Sequence, residues 1–126
     1  MPTSSVVASI TSCGDVFANT AIAPVTGITY ATCEPSEMGA QLRSVTATYR
    51  VSGDPKAVEA ELTNRFGMAP LVFRCCGWEP TNPSAGQYTT ADGYSVVVTM
   101  ASGETIERDW SKIDFTVRAQ LFLESP

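Results

Sequence analysis

The chain has 126 residues, 44% of them hydrophobic and 17% charged, and thirteen acidic residues outweigh eight basic ones for a net charge of −5. That length and balance fit one folded domain over residues 1–126, large enough to bury a core without help from a metal, and exclude a disordered chain. The basic residues are scattered and the apolar runs are short, so neither a nucleic acid, an anionic membrane surface nor a helical membrane span is expected.

Taken in chain order, Ser5–Ile10 is short and β-prone. Ser12 reads as the N-cap of a short helix through Val16 and Phe17, with Asp15 in the first turn, where acidic residues are favoured. Pro24 and Gly27 close that unit, and the β-branched and aromatic run Ile28–Cys33 reads as a strand. Glu34–Gly39 has the composition of a loop. Leu42–Val51 predicts a second strand, in which Val45, Ala47, Tyr49 and Val51 alternate with Ser44, Thr46, Thr48 and Arg50.

The next segment predicts a helix over about 54–66. Asp54 is an N-cap, Pro55 suits the first helical position and Gly67 the left-handed C′ position. Val58, Leu62 and Phe66 fall on one face. Leu71–Cys76 predicts a third strand and Gly77–Gly86 a loop. Asp92-Gly93 suits a two-residue hairpin turn between Gln87–Ala91 and Tyr94–Met100, which sets Tyr88 opposite Val97. Ser102-Gly103 turns the chain into a short strand over Thr105–Arg108. The last strand is the most regular: Ile113, Phe115, Val117, Ala119, Leu121 and Leu123 alternate with largely polar neighbours, as in an antiparallel strand with one wet face. The order of elements predicts an α+β fold. An antiparallel sheet of about five or six strands carries the 54–66 helix and a short N-terminal helix on one face.

Four cysteines occur, at 13, 33, 75 and 76. If Cys75 and Cys76 are neighbours on a strand, they point to opposite faces. An eight-membered ring between them would distort that strand. The expected arrangement is that one pairs with Cys13 and the other with Cys33, in either combination. Free thiols, or a redox or metal site, are the alternatives, although adjacent cysteines lack the spacing of a zinc site. Disulfides would place the protein in an oxidising compartment.

The chain contains no histidine, which removes the commonest general base, metal ligand and partner of a Ser or Cys nucleophile. No phosphate-binding glycine loop or nucleophile elbow is present, and neither a cofactor nor a metal is expected. The candidates for a partner-binding site are Trp78 and Glu79 in the Gly77–Gly86 loop, and Glu104 with Trp110 in the acidic stretch further on. Loop aromatics often anchor partners. The competing reading makes Trp78 a cap on the core and Glu79 a surface ion-pair partner. Glu104, Glu107 and Asp109 near Trp110 suggest paired carboxylates, but residues three apart on a strand face opposite ways, which favours a solvated edge. The four tyrosines (Tyr30, Tyr49, Tyr88 and Tyr94) default to packing.

The run Tyr49-Arg50-Val51, then Phe66-Gly67-Met68, Pro70-Leu71, Phe73 and Cys75-Cys76-Gly77-Trp78-Glu79-Pro80 resembles an uncharacterised family of bacterial domains of unknown function. Cys13-Gly14-Asp15, Cys33 and the stretch from Asp109-Trp110 through Lys112-Ile113 to Leu121, Leu123 and Pro126 fit the same pattern. The resemblance implies a small secreted or lipid-anchored envelope protein and carries no activity with it. No leader is visible at the amino terminus, so a periplasmic or secreted protein would have had its leader removed, with a lipid anchor possible there. The expected function is a non-enzymatic protein-binding domain of the bacterial envelope, of inhibitor or immunity type. A small carboxylate-dependent hydrolase using Glu79 with Glu104 and a structural envelope domain are the alternatives.

Overall fold

The fold is seen in a computed structural model that describes residues 13–38, 41–81 and 84–123. The expected Ser5–Ile10 strand and the Ser12 cap lie outside them. The described elements are α1 (Val16–Asn19), β1 (Ile28–Met38), β2 (Gln41–Val51), α2 (Pro55–Phe66), β3 (Leu71–Arg74), β4 (Gly77–Pro80), β5 (Gly86–Thr89), β6 (Ser95–Ala101), a 3₁₀ turn (Trp110–Lys112) and β7 (Thr116–Phe122). Five strands form one antiparallel sheet in the order β1-β2-β7-β6-β5, and β3 and β4 form a separate hairpin.

The period-2 pattern decides which face is covered. Val45, Ala47 and Tyr49 of β2, Val117, Ala119 and Leu121 of β7, and Val96, Val98 and Met100 of β6 are all buried, in one cluster with Val58, Leu62 and Phe66 of α2. Register places them side by side: Ala47 pairs with Ala119, and Ala119 with Val98. A slip of one residue in any of these strands would turn its three apolar positions toward solvent, so the apolar pattern fixes the register. The opposite face carries Thr46, Thr48, Arg118, Gln120 and Thr99, which are half-buried or exposed.

Helix α2 forms as the sequence predicts. The Asp54 carboxylate accepts from the Lys56 N–H at 3.2 Å, Pro55 opens the helix, and Gly67 ends it with its N–H on the Thr63 carbonyl. Several expectations need correction. The Leu71–Cys76 strand ends at Arg74, and the expected Gly77–Gly86 loop opens as a strand, β4. Asp15 is itself the N-cap of α1, accepting from the Ala18 N–H at 3.2 Å. Glu34–Met38 continues β1 instead of looping; Pro35 is tolerated there because β1 is an edge strand, whose outward N–H has no ladder partner to lose. The β5–β6 turn has three residues between Thr90 and Tyr94, not two, and Tyr88 therefore faces Val96. Gly93, at φ 91°, supplies the left-handed residue such a turn uses. Thr105–Arg108 forms no strand; that region holds only a bridge between Glu104 and Gly77.

A four-residue helix is far below the length that holds itself in water, so α1 depends on its neighbours. Three attachments hold it. Cys13 is disulfide-bonded to Cys33 of β1, with Cα atoms 5.5 Å apart. The Tyr49 hydroxyl donates to Asp15 Oδ1 at 2.6 Å and accepts from the Phe17 N–H at 3.2 Å. Thr20 Oγ1 lies 2.8 Å from the Tyr88 hydroxyl. The Phe17 ring then packs among Tyr49, Phe66 and Tyr88, with centroids 5.0, 5.9 and 6.4 Å away.

Burial and the bond to Asp15 push the Tyr49 phenol well above its ordinary value. An unfolded chain releases that proton near pH 10, whereas the folded one keeps it. The unfolded state then binds fewer protons, so the stabilisation is fully present below about pH 10 and falls by about 1.4 kcal/mol per pH unit above it. Tyr49→Phe loses about 2 kcal/mol at neutral pH, because the Phe17 N–H and Asp15 are both left short of a partner. It also flattens the alkaline limb of a urea-denaturation series, and an unchanged limb would exclude this source.

Candidate functional site

The β3–β4 hairpin stands at one end of the main sheet. Arg74 pairs with Gly77 and Phe73 with Trp78, which leaves Cys75 and Cys76 as the two-residue turn. The Cys76 N–H bonds back to the Arg74 carbonyl, and Cys75 takes a positive φ of 36°. The free edge of β4 docks onto the chain leaving β6. The Trp78 N–H donates to Ser102 Oγ at 2.8 Å, the Ser102 N–H to the Trp78 carbonyl at 3.1 Å, and the Thr105 N–H to the Cys76 carbonyl at 2.8 Å.

This docking needs a glycine at 77. A Cβ there would lie 2.4 Å from the Gly103 carbonyl oxygen, a main-chain atom that cannot rotate away. Gly77→Ala is expected to cost about 2 kcal/mol, in the range of overpacked sites. It should also raise hydrogen exchange at the Thr105 amide; ordinary protection there would show that the hairpin stays docked.

Behind the hairpin runs an aromatic ladder. Phe73 meets Trp78 at 5.6 Å between centroids, Trp78 meets Trp110 at 5.3 Å, and Trp110 meets Phe115 at 4.7 Å. Two cations sit on the ladder: the Arg108 guanidinium lies 3.8 Å from the Phe73 centroid, at one end, and Lys56 Nζ 3.5 Å from that of Trp110. The Trp78 indole N–H donates to the Glu107 carbonyl at 2.9 Å. Trp78 is thus half-buried and fixed in orientation, while Trp110 belongs to the core.

In front of the hairpin lies an open cleft of about 460 Å³, lined by the turn cysteines, Trp78, Glu79 and Glu104 among others. Of the four expected binding residues, three therefore share one concavity, and Trp110 supports it from behind. Glu79 faces Arg74 at 3.6 Å, and both side chains are more than half exposed, so the pair adds little stability. The acidic stretch separates into different duties. Glu104 lines the cleft, Glu107 holds Trp78 by its carbonyl, and Asp109 caps the 3₁₀ turn. The Ser111 hydroxyl and N–H, at 2.7 and 3.0 Å, hold the Asp109 carboxyl below its ordinary value.

The cysteine expectation is overturned. Cys13 and Cys33 pair with each other, and Cys75 and Cys76 are free and exposed. Two neighbours point to opposite faces only when both lie on a strand. The chain reverses at those two residues instead, at a hairpin tip outside the sheet that contains Cys33. Ile106, within the expected Thr105–Arg108 strand, is 83% exposed. A second, smaller pocket of about 100 Å³ lies between α1 and the start of β1; its Asp15 is already engaged by Tyr49. Among the described residues no group of three or more Cys, Asp or Glu side chains is arranged to hold a metal ion, and no helix is long and apolar enough to cross a membrane.

The sequence model of a domain of unknown function, DUF4952, matches residues 2–78. The match includes all four cysteines and runs to the hairpin tryptophan. No curated protein and no solved structure matches the chain.

Proposed function

The chain belongs to the DUF4952 family, whose description carries no activity, and on that premise we propose that it is a non-enzymatic protein-binding domain of the bacterial envelope, periplasmic or secreted, acting as an inhibitor or immunity-type protein. The observation that carries this reading is the convergence of Trp78, Glu79 and Glu104 on one cleft. A tryptophan held by its indole N–H presents a rigid apolar surface at little entropic cost, and charged groups at the rim select the partner's sign. Ile106 lies two residues beyond Glu104 and offers a second apolar anchor. The Cys13–Cys33 disulfide is compatible with an oxidising, extracytoplasmic compartment. The net charge of −5 favours a basic partner.

The test places a photo-activatable aryl ketone at Glu79 or, as control, at Glu34 on the far edge strand. Irradiation in envelope extract should give one discrete adduct from position 79 alone, weakened by Trp78→Ala. Equal adducts from both positions would reject the reading.

Glu79 and Glu104 sharing a cleft also favours the second reading, a carboxylate-dependent hydrolase. Both residues are exposed, however, and a general acid at neutral pH needs a desolvated carboxyl. Hydrolysis of ester or glycoside substrates that disappears in both Glu79→Gln and Glu104→Gln would establish it. A structural role requires a contiguous apolar patch. The large exposed apolar side chains among the described residues are Tyr30 on β1, Ile106 in the segment after β6 and Phe122 on β7.

A further inference from the structure

The hairpin tip carries two thiols that neither the aromatic ladder nor the binding reading uses. Cys75 and Cys76 are adjacent, both exposed, and occupy the whole of a two-residue turn. As neighbours that make up one turn, the two side chains are held close to each other by the chain itself. In a strand, a ring joining them would break the pleat; in this turn no pleat exists to break.

We infer that Cys75 and Cys76 form a reversible redox switch, closing into a vicinal disulfide that reshapes the wall of the cleft. Consecutive Cα atoms lie about 3.8 Å apart. That is shorter than the roughly 4.4–6.8 Å of unstrained disulfides, so the closed ring is strained and easily reduced. The Cys13–Cys33 bridge, at 5.5 Å, falls inside that span. One chain thus holds a structural disulfide and a labile one.

The oxidant is a disulfide R–S–S–R, either oxidised glutathione or the disulfide of an oxidoreductase. One cysteine thiolate attacks it, forming a mixed disulfide and expelling RS⁻. The neighbouring thiolate attacks the protein sulfur of that mixed disulfide and expels the second RS⁻. Two electrons pass from the cysteine pair to R–S–S–R, and the two cysteine protons end on two molecules of RSH. Closure is transmitted because the Cys76 carbonyl accepts from the Thr105 N–H and Gly77 bridges to Glu104. A change in the turn torsions therefore moves the 102–105 segment and Trp78 together. This inference does not depend on what the cleft binds.

The experiment equilibrates the full chain in a series of reduced and oxidised glutathione ratios, alkylates free thiols and digests with trypsin. Cleavage after Arg74 and Arg108 isolates Cys75 and Cys76 in a peptide with no other cysteine. That peptide should become lighter by two hydrogens and resistant to alkylation, and excess reduced glutathione should reverse this while Cys13–Cys33 stays linked. Tryptophan emission should shift in step. Cys76→Ser cannot resolve the mixed disulfide and should accumulate about tenfold more glutathione adduct at Cys75 than the natural chain. A peptide that is doubly alkylated throughout, carries stable glutathione or links two chains overturns the switch. Unchanged emission across the transition overturns its coupling to the cleft.

Discussion

Trp110→Ala lowers the free energy of unfolding by about 3–5 kcal/mol, the range for deleting a large buried aromatic. The side chain is 6% exposed and packs between Trp78 and Phe115. Its removal opens a cavity beneath the cleft that the flanking rings cannot fill without leaving their rotamers. It also strips Lys56 of the ring face above which its ammonium sits. Trp110→Phe should cost much less. The Trp110 indole N–H is buried with no hydrogen-bond partner among the described residues, so the smaller ring sheds an unsatisfied donor along with the lost volume. Urea denaturation of the two variants separates these effects. Similar losses from both would show that volume is not the issue, and a loss under about 1 kcal/mol from the alanine variant would show that the ladder does not support the hairpin.

The same residues show what a single sequence reveals and what it hides. Helix α2 was legible to its ends because Asp54, Pro55 and Gly67 are local signals that act within one turn. The faces of β2 and β7 were legible because their alternation extends over several residues. The path of the chain at Cys75-Cys76 was not. Cysteine has no turn propensity, and the β-prone run on either side reads straight through it. What bends the chain there is the docking of Gly77 against Gly103, twenty-six positions later in sequence. Trp78, Glu79 and Glu104 could be named from residue type and loop composition. Their meeting in one cleft depends on the Gly77–Glu104 bridge, a long-range contact that no local pattern encodes. From sequence, Asp15 reads as a first-turn acid. Its actual work as cap and as acceptor for Tyr49 becomes visible only once β2 lies beneath α1.

Removing the Cys13–Cys33 bond, by Cys33→Ala or by selective reduction, should cost on the order of 3 kcal/mol. The two cysteines are 20 residues apart in sequence, a loop for which the chain-entropy model gives about that figure. The consequence is larger at α1 than in the sheet, because β1 remains paired to β2 along its length whereas α1 has too few residues to persist alone. With the tether cut, α1 frays first. The Tyr49 hydroxyl then spends part of its time without Asp15, so much of the value of that bond is lost together with the disulfide. Tyr49→Phe and Cys33→Ala should consequently be less than additive, with a coupling of about 1 kcal/mol in a double-mutant cycle, as for neighbours that share one element. Full additivity would mean that α1 is held by Tyr49 and the Phe17 cluster alone. A cost below about 1 kcal/mol for the cysteine variant would make the disulfide a bystander and remove the physical support it lends to an extracytoplasmic location.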